Sequence, residues 1–210
     1  MLIEGPEIYF LFMVDDTTNE WGSCTVLRRY NHEEHSWGEP SVFGDEEWRG
    51  FALTSEASLV RAANGNLVAS FRSGRKGPSN LPADKWRGIV TATSADNGGD
   101  LAAHRRQLLR QLSLPCTRAA AATWSWPKVH SLYAHVHSSL CRLPDGRLLL
   151  TYAARVGEID GVLYHGHECV VSHTHGETWD WEHRFVVFRG VDGAQVRPWP
   201  RAPFLSASRA

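Results

Sequence analysis

The sequence predicts an all-β chain made of consecutive antiparallel meanders, and three observations carry that prediction. First, one hairpin pattern occurs twice, at Ser58 to Arg72 and at Ser139 to Tyr152. Each copy reads as an apolar run, an Asn64-Gly65 or Asp145-Gly146 turn, and a second apolar run. Second, a short turn motif follows each hairpin at nearly the same interval. From turn glycine to motif serine is 29 positions in one copy (Gly65 to Ser94) and 26 in the other (Gly146 to Ser172). Third, nine Trp, eight Phe and five Tyr in 210 residues favour strands over helices.

The turn motif is Ser-x-Asp-x-Gly-x-Thr-Trp. One copy is uninterrupted from Ser172 through Gly176 to Thr178-Trp179, with Thr174 where the Asp would stand. The other is cut in two. Ser94-Ala95-Asp96-Asn97-Gly98-Gly99 opens it, and its end, Thr123-Trp124, follows only after residues 100–122. A third, worn copy ends at Ser36-Trp37-Gly38-Glu39-Pro40. The residue types suit a tight turn between strands: Ser and Asp bond turn amides, Gly accepts positive φ, and Trp covers adjacent apolar surface.

These segments resemble the BNR or Asp-box repeat of the sialidase (neuraminidase) superfamily, whose members are six-bladed β-propellers. The resemblance implies a propeller fragment of about three four-stranded antiparallel blades. In that family the boxes lie on the rim away from the catalytic mouth, so Ser94, Asp96, Gly98, Thr123, Trp124, Ser172, Gly176, Thr178 and Trp179 are expected to be structural.

A map follows. Residues 1–43 make a partial blade, 44–130 a full blade carrying the insertion, 131–190 another, and 191–210 an irregular tail rich in Pro, Arg and Ala. The chain therefore reads as one partial propeller, 1–190, plus the tail. Ile3 to Glu7 reads as a hairpin turn whose incoming strand is missing, with Ile8 to Val14 as its return strand. Within the insertion, Leu101, Leu108, Leu109 and Leu112 are spaced for a short amphipathic helix. It reads either as a lid or partner-binding helix, or as sequence foreign to the fold, such as a short intron read through in frame.

Composition sets the outer bounds. A formal charge of −1 gives no reason to invoke nucleic acid or an anionic membrane. Cys24, Cys116, Cys141 and Cys169 have no CxxC spacing and imply neither a zinc site nor a disulfide framework. No stretch is long enough to cross a bilayer, and no signal peptide opens the chain. A soluble protein is expected, with its compartment open. No cofactor and no metal are expected either. The pairs His135/His137, His165/His167 and His173/His175 have strand-face spacing, but their places in the repeat do not converge.

The resemblance implies an exo-sialidase-like glycoside hydrolase acting on a sialoside or related glycan. In that family arginines at the mouth bind the sugar carboxylate, a Tyr assisted by Glu is the nucleophile, and an Asp is the acid/base. Arg72 and Arg155, at or just past the ends of their hairpins, and Arg75 are the candidate carboxylate ligands, since a guanidinium fork matches a carboxylate. His137 is a candidate polar wall, and Asp84, on the loop after Gly74, a weak candidate acid/base. No Tyr nucleophile is assigned, and the Arg-Ile-Pro signature of the first catalytic blade is absent. A noncatalytic Asp-box propeller that binds glycan or protein is the alternative, and an inactive gene-model fragment a third.

Overall fold

A computed structural model describes residues 1–16, 22–38, 41–43, 56–73, 88–98, 124–125, 128–129, 135–159 and 162–190. The described residues are all-β, with a single 3-10 turn at Trp181–His183 and no α-helix. They form three consecutive antiparallel sheets, the arrangement expected of a propeller fragment. Sheet I holds β1 (Leu2–Glu4), β2 (Glu7–Asp16), β3 (Gly22–Asn31) and a divided outer strand, β4 (Ser36–Trp37) and β5 (Ser41–Val42), both paired to β3. Sheet II runs β6 (Ser58–Arg61), β7 (Leu67–Ser73), β8 (Gly88–Ser94) and β9 (Lys128–Val129). Sheet III runs β10 (His135–Arg142), β11 (Leu148–Ile159), β12 (Val162–Ser172) and β13 (Phe185–Arg189). Among the described residues no helix is long and apolar enough to cross a membrane.

The repeated hairpins are the same object. Ser58 pairs with Ser70 and Arg61 with Leu67, as Ser139 pairs with Thr151 and Arg142 with Leu148. In each turn the glycine takes φ +89° and its N–H donates to a carbonyl three residues back, in Ala62 or Leu143. Asn64 and Asp145 then accept from the amides of Asn66 and Arg147, which is why Asn or Asp precedes that glycine.

Alternation places the core. Leu59, Leu67, Ala69, Phe71, Val90 and Ala92 face sheet I and pack on Tyr9, Leu27 and Phe43. Val60, Ala62, Val68 and Ile89 face sheet III and pack on Leu140, Leu148, Leu150, Tyr152 and Val170. Sheet II is therefore covered on both faces, which is why β7 and β8 are apolar or small almost throughout.

The two motif turns staple neighbouring sheets. Ser172 Oγ accepts from the N–H of Thr174 (3.2 Å) and of Gly176 (2.9 Å), and Ser94 Oγ accepts from Gly98 N–H (2.7 Å) while donating to Asp96 (2.6 Å). Thr174, at the position of Asp96, closes its own turn: its hydroxyl accepts from Thr178 N–H at 2.8 Å and bonds the Thr178 hydroxyl at 2.7 Å. Asn97-Gly98 and His175-Gly176 are left-handed at matching positions. Trp124 is buried between sheets I and II, its indole donating to Ser41 Oγ, and Trp179 between sheets II and III.

The divided motif closes across its gap. Ser125 N–H donates to Thr93 O (2.6 Å) as Asp180 N–H donates to Val171 O (2.9 Å) in the uninterrupted copy. Thr123, the insertion 100–122 with its leucines, and the tail 191–210 lie outside the described residues.

Two expectations for sheet I need correction. The incoming strand is present as β1, where Leu2 pairs with Tyr9 and Glu4 with Glu7. Trp37 is not a third equivalent of the buried tryptophans. It is 46 % exposed and packs with Phe10, Phe12 and Tyr30 on the face away from sheet II. The shorter turn from Asn31 to Ser36 puts Trp37 directly across from Tyr30, so its side chain falls on the opposite face.

Candidate functional site

Register separates the two rims. Leu67 pairs with Ser94 and Leu148 with Ser172, so the hairpin turns and motif turns share one rim. Arg72 pairs with Ile89 near the other end of β7. There it meets Glu56, two residues before β6, and His137 of β10. Glu56 Oε1 accepts from Arg72 Nη1 (3.3 Å) and lies 3.1 Å from His137 Nδ1, and Glu56 Oε2 accepts from the His137 backbone N–H (2.8 Å).

Glu56 and His137 are repeat equivalents, 81 positions apart like the turn glycines Gly65 and Gly146. Both are left-handed, at φ +59° and +53°, although neither is glycine or asparagine. In β10 the cause is visible: Val136 pairs with Ala153 and Ser139 with Thr151, so His137 and Ser138 together oppose Tyr152, a β-bulge. Left-handed non-glycine residues cost about 1–3 kcal/mol each and cluster where a site over-determines them.

The side chains are reachable, at 33 % exposure for Arg72, 20 % for Glu56 and 59 % for His137. Glu56 holds one edge of the Arg72 fork. His137 Nδ1 lies beside the Glu56 carboxylate, which places the imidazole against the same carboxyl that holds Arg72. The arrangement thus offers a planar cation and an oriented imidazole within one rim.

The remaining candidates are Arg155, Arg75 and Asp84. Arg155 is not the register partner of Arg72: Leu67 and Leu148 are equivalent, which matches Arg72 to Ala153. The backbone of Arg155 lies two residues further on, where β11 shifts register between Ala154 and Gly157. Arg75 and Asp84 lie outside the described residues. Among the described residues no three His, Cys, Asp or Glu side chains converge as a metal set.

Glu56 was not legible in the sequence as a site residue, and neither was Glu168. Glu168 is 1 % exposed, yet its Oε2 accepts from the Tyr152 hydroxyl (2.7 Å) and its Oε1 from the Tyr164 hydroxyl, with Arg184 Nε 3.6 Å away. Burial and the hydrogen bond to Glu168 push the Tyr164 phenol up to about 12 and raise Tyr152 as well. A folded-state pKa above the ordinary 10 stabilises the fold fully below pH 10, and that contribution is lost as pH rises through the folded value. The urea midpoint is therefore expected to fall between pH 10 and 12, and Tyr164→Phe to flatten that fall. An unchanged alkaline limb in Tyr164→Phe would contradict the assignment.

No family model matches the chain, and no curated protein matches it. Among solved structures it is similar to a protein of unknown function from Dyadobacter fermentans, at 13 % identity and a TM-score of 0.52. That similarity covers 84 % of this chain and 50 % of that one, so the chain spans half the length of its neighbour. It is also similar, at 11 % identity and a TM-score of 0.48, to a polysaccharide lyase, an ulvan lyase of family PL25 bound to a GlcA–Rha3S saccharide, covering 85 % of this chain and 35 % of that one. The first similarity shows the fold alone: an all-β arrangement shared at low identity.

Proposed function

We propose that the rim carrying Arg72, Glu56 and His137 is part of the glycan-binding mouth of a sialidase-like propeller, and that its ligand is a carboxylated sugar. The observation that carries the reading is the meeting of Arg72 with two left-handed repeat equivalents on the rim opposite the motif turns. Arg72 would take the sugar carboxylate on its outer edge, Glu56 would hold the guanidinium and the imidazole, and His137 Nε2 would accept from a sugar hydroxyl.

Binding without cleavage is the second reading. The tyrosines that bond a carboxyl among the described residues, Tyr152 and Tyr164, are both buried, with their phenols held protonated.

Titration of the full chain with sialic acid, followed by NMR, tests the proposal, with a neutral hexose as control. Arg72→Ala is expected to weaken sialic acid binding at least about tenfold, or about 1.4 kcal/mol, and to leave the neutral sugar unaffected. Equal weakening of both sugars, or none, would remove Arg72 as the carboxylate ligand. No turnover of a fluorogenic sialoside is expected from this chain, and turnover lost in Arg72→Ala would place the hydrolase reading first.

A further inference from the structure

The repeat supplies an internal comparison that isolates one buried polar pair. In sheet II, Phe71 of β7 pairs with Val90 of β8, and both side chains are fully buried against sheet I. In sheet III the equivalent pair is Tyr152 and Glu168, one on β11 and the other on β12, equally buried. One sheet fills this place with an apolar pair, so the fold does not require polarity there. Burying a carboxyl costs several kcal/mol unless its oxygens are bonded. Here both are, by Tyr152 and Tyr164, with Arg184 alongside.

What differs between the two sheets at this level is the first strand, β6 in one and β10 in the other. In sheet II β6 begins at Ser58, so Phe71 lies beyond its first ladder pair. In sheet III β10 continues past the same point through a bulge, and Tyr152 is the single residue opposite His137 and Ser138. A bulge leaves its partner strand without a regular ladder bond at that place, so the position of the opposing residue helps decide how the extra residue is presented. Tyr152 cannot slide or rotate freely, because its hydroxyl is tied to Glu168 across the strand.

We propose that Glu168 is a positioning residue for the rim: by anchoring Tyr152 opposite the bulge, it fixes the left-handed turn of the chain that presents His137 to Glu56. Both sheets hold a left-handed residue at this level, but Glu56 precedes its strand's ladder, whereas His137 is seated in a bulge with Tyr152 directly opposite. The ligand arm of the test rests on the acid-sugar reading; the imidazole arm does not.

The test uses the full 210-residue chain. The variants are Tyr152→Phe and the double variant Tyr152→Phe/Glu168→Val, which copies the Phe71 and Val90 pair that sheet II already packs. Circular dichroism checks the fold, and long-range proton–nitrogen spectra read the His137 ring. In the wild type the ring is expected as the Nδ1–H tautomer. In both variants it is expected to shift toward the averaged signals of a mobile imidazole, with sialic acid binding about tenfold weaker, the scale on which orienting partners act at metal-held histidines. Glu56→Gln gives the reference shift for a released ring. Variants that fold and keep wild-type His137 signals, while Glu56→Gln moves them, would overturn the proposal. Tyr152→Phe, which removes one hydroxyl, decides the matter if the double variant does not fold. Absence of any response to sialic acid in the wild type would sink the acid-sugar reading and leave the ring measurement to judge Glu168.

Discussion

Gly176→Ala is expected to destabilise the protein by about 3 kcal/mol, from about 1–2 for a left-handed alanine and about 1–3 for overpacking. Gly176 holds φ +92°, and a Cβ there would sit 2.8 Å from Val68 Cγ1 and 3.0 Å from Val68 Cγ2, inside the seam between sheets II and III. Val68 is fully buried and has nowhere to retreat. For a chain of this size the midpoint should drop by roughly 10 °C. Gly5→Ala is the control: it is also left-handed, at φ +57°, but has nothing within 4 Å, so it should lose only about 1 kcal/mol. Equal losses in the two variants, measured by thermal and urea unfolding, would show that the motif turn does not staple the sheets.

Deleting residues 100–122 is expected to raise stability by about 2 kcal/mol, and the midpoint by roughly 5 °C, by removing the entropy cost of closing a long loop. The expectation rests on the flanks. Ser94, Asp96 and Gly98 already make the turn, Trp124 is already seated against Ser41 and Phe43, and Ser125 closes on Thr93 as Asp180 does on Val171. The shortened chain would restore the continuous motif seen from Ser172 to Trp179. A lower midpoint after deletion would mean that the segment buries apolar surface of its own, and would favour the evolved amphipathic helix with Leu108, Leu109 and Leu112 as its packing face.

Local signals wrote much of this fold. Asn64-Gly65 and Asp145-Gly146 dictate their hairpins because only a glycine takes φ +89° without cost, and because the preceding Asn or Asp bonds the next amide but one. Ser172, Thr174 and Gly176 dictate their turn through bonds made within five residues. Trp37 escaped that logic. Its dipeptide looks like the end of a motif, but a change in turn length reverses the face of a strand, and no single residue type records turn length.

The candidate site was legible in part. Arg72, Arg155 and His137 could be chosen because a guanidinium or imidazole at a strand end suits a sugar, and the side chain of Arg155 lies outside the described residues. Glu56 carried no signal until its equivalence with His137 was drawn across 81 positions. Glu168 opens a stretch of β12 that is buried through Ser172, and alignment with Val90 exposes it as a carboxyl in an apolar place.

The sequence by itself determined the strands, the hairpin turns, the motif turns and the repeat that orders them, because each is set by contacts within a few residues. Tertiary structure alone decided that Glu56, Arg72 and His137 meet, that Trp124 returns to its turn across the interruption, and that Glu168 is buried with its partners. Those facts depend on how one sheet lies against the next and on the register of paired strands. Both are settled by summed burial over many side chains, which no local pattern contains.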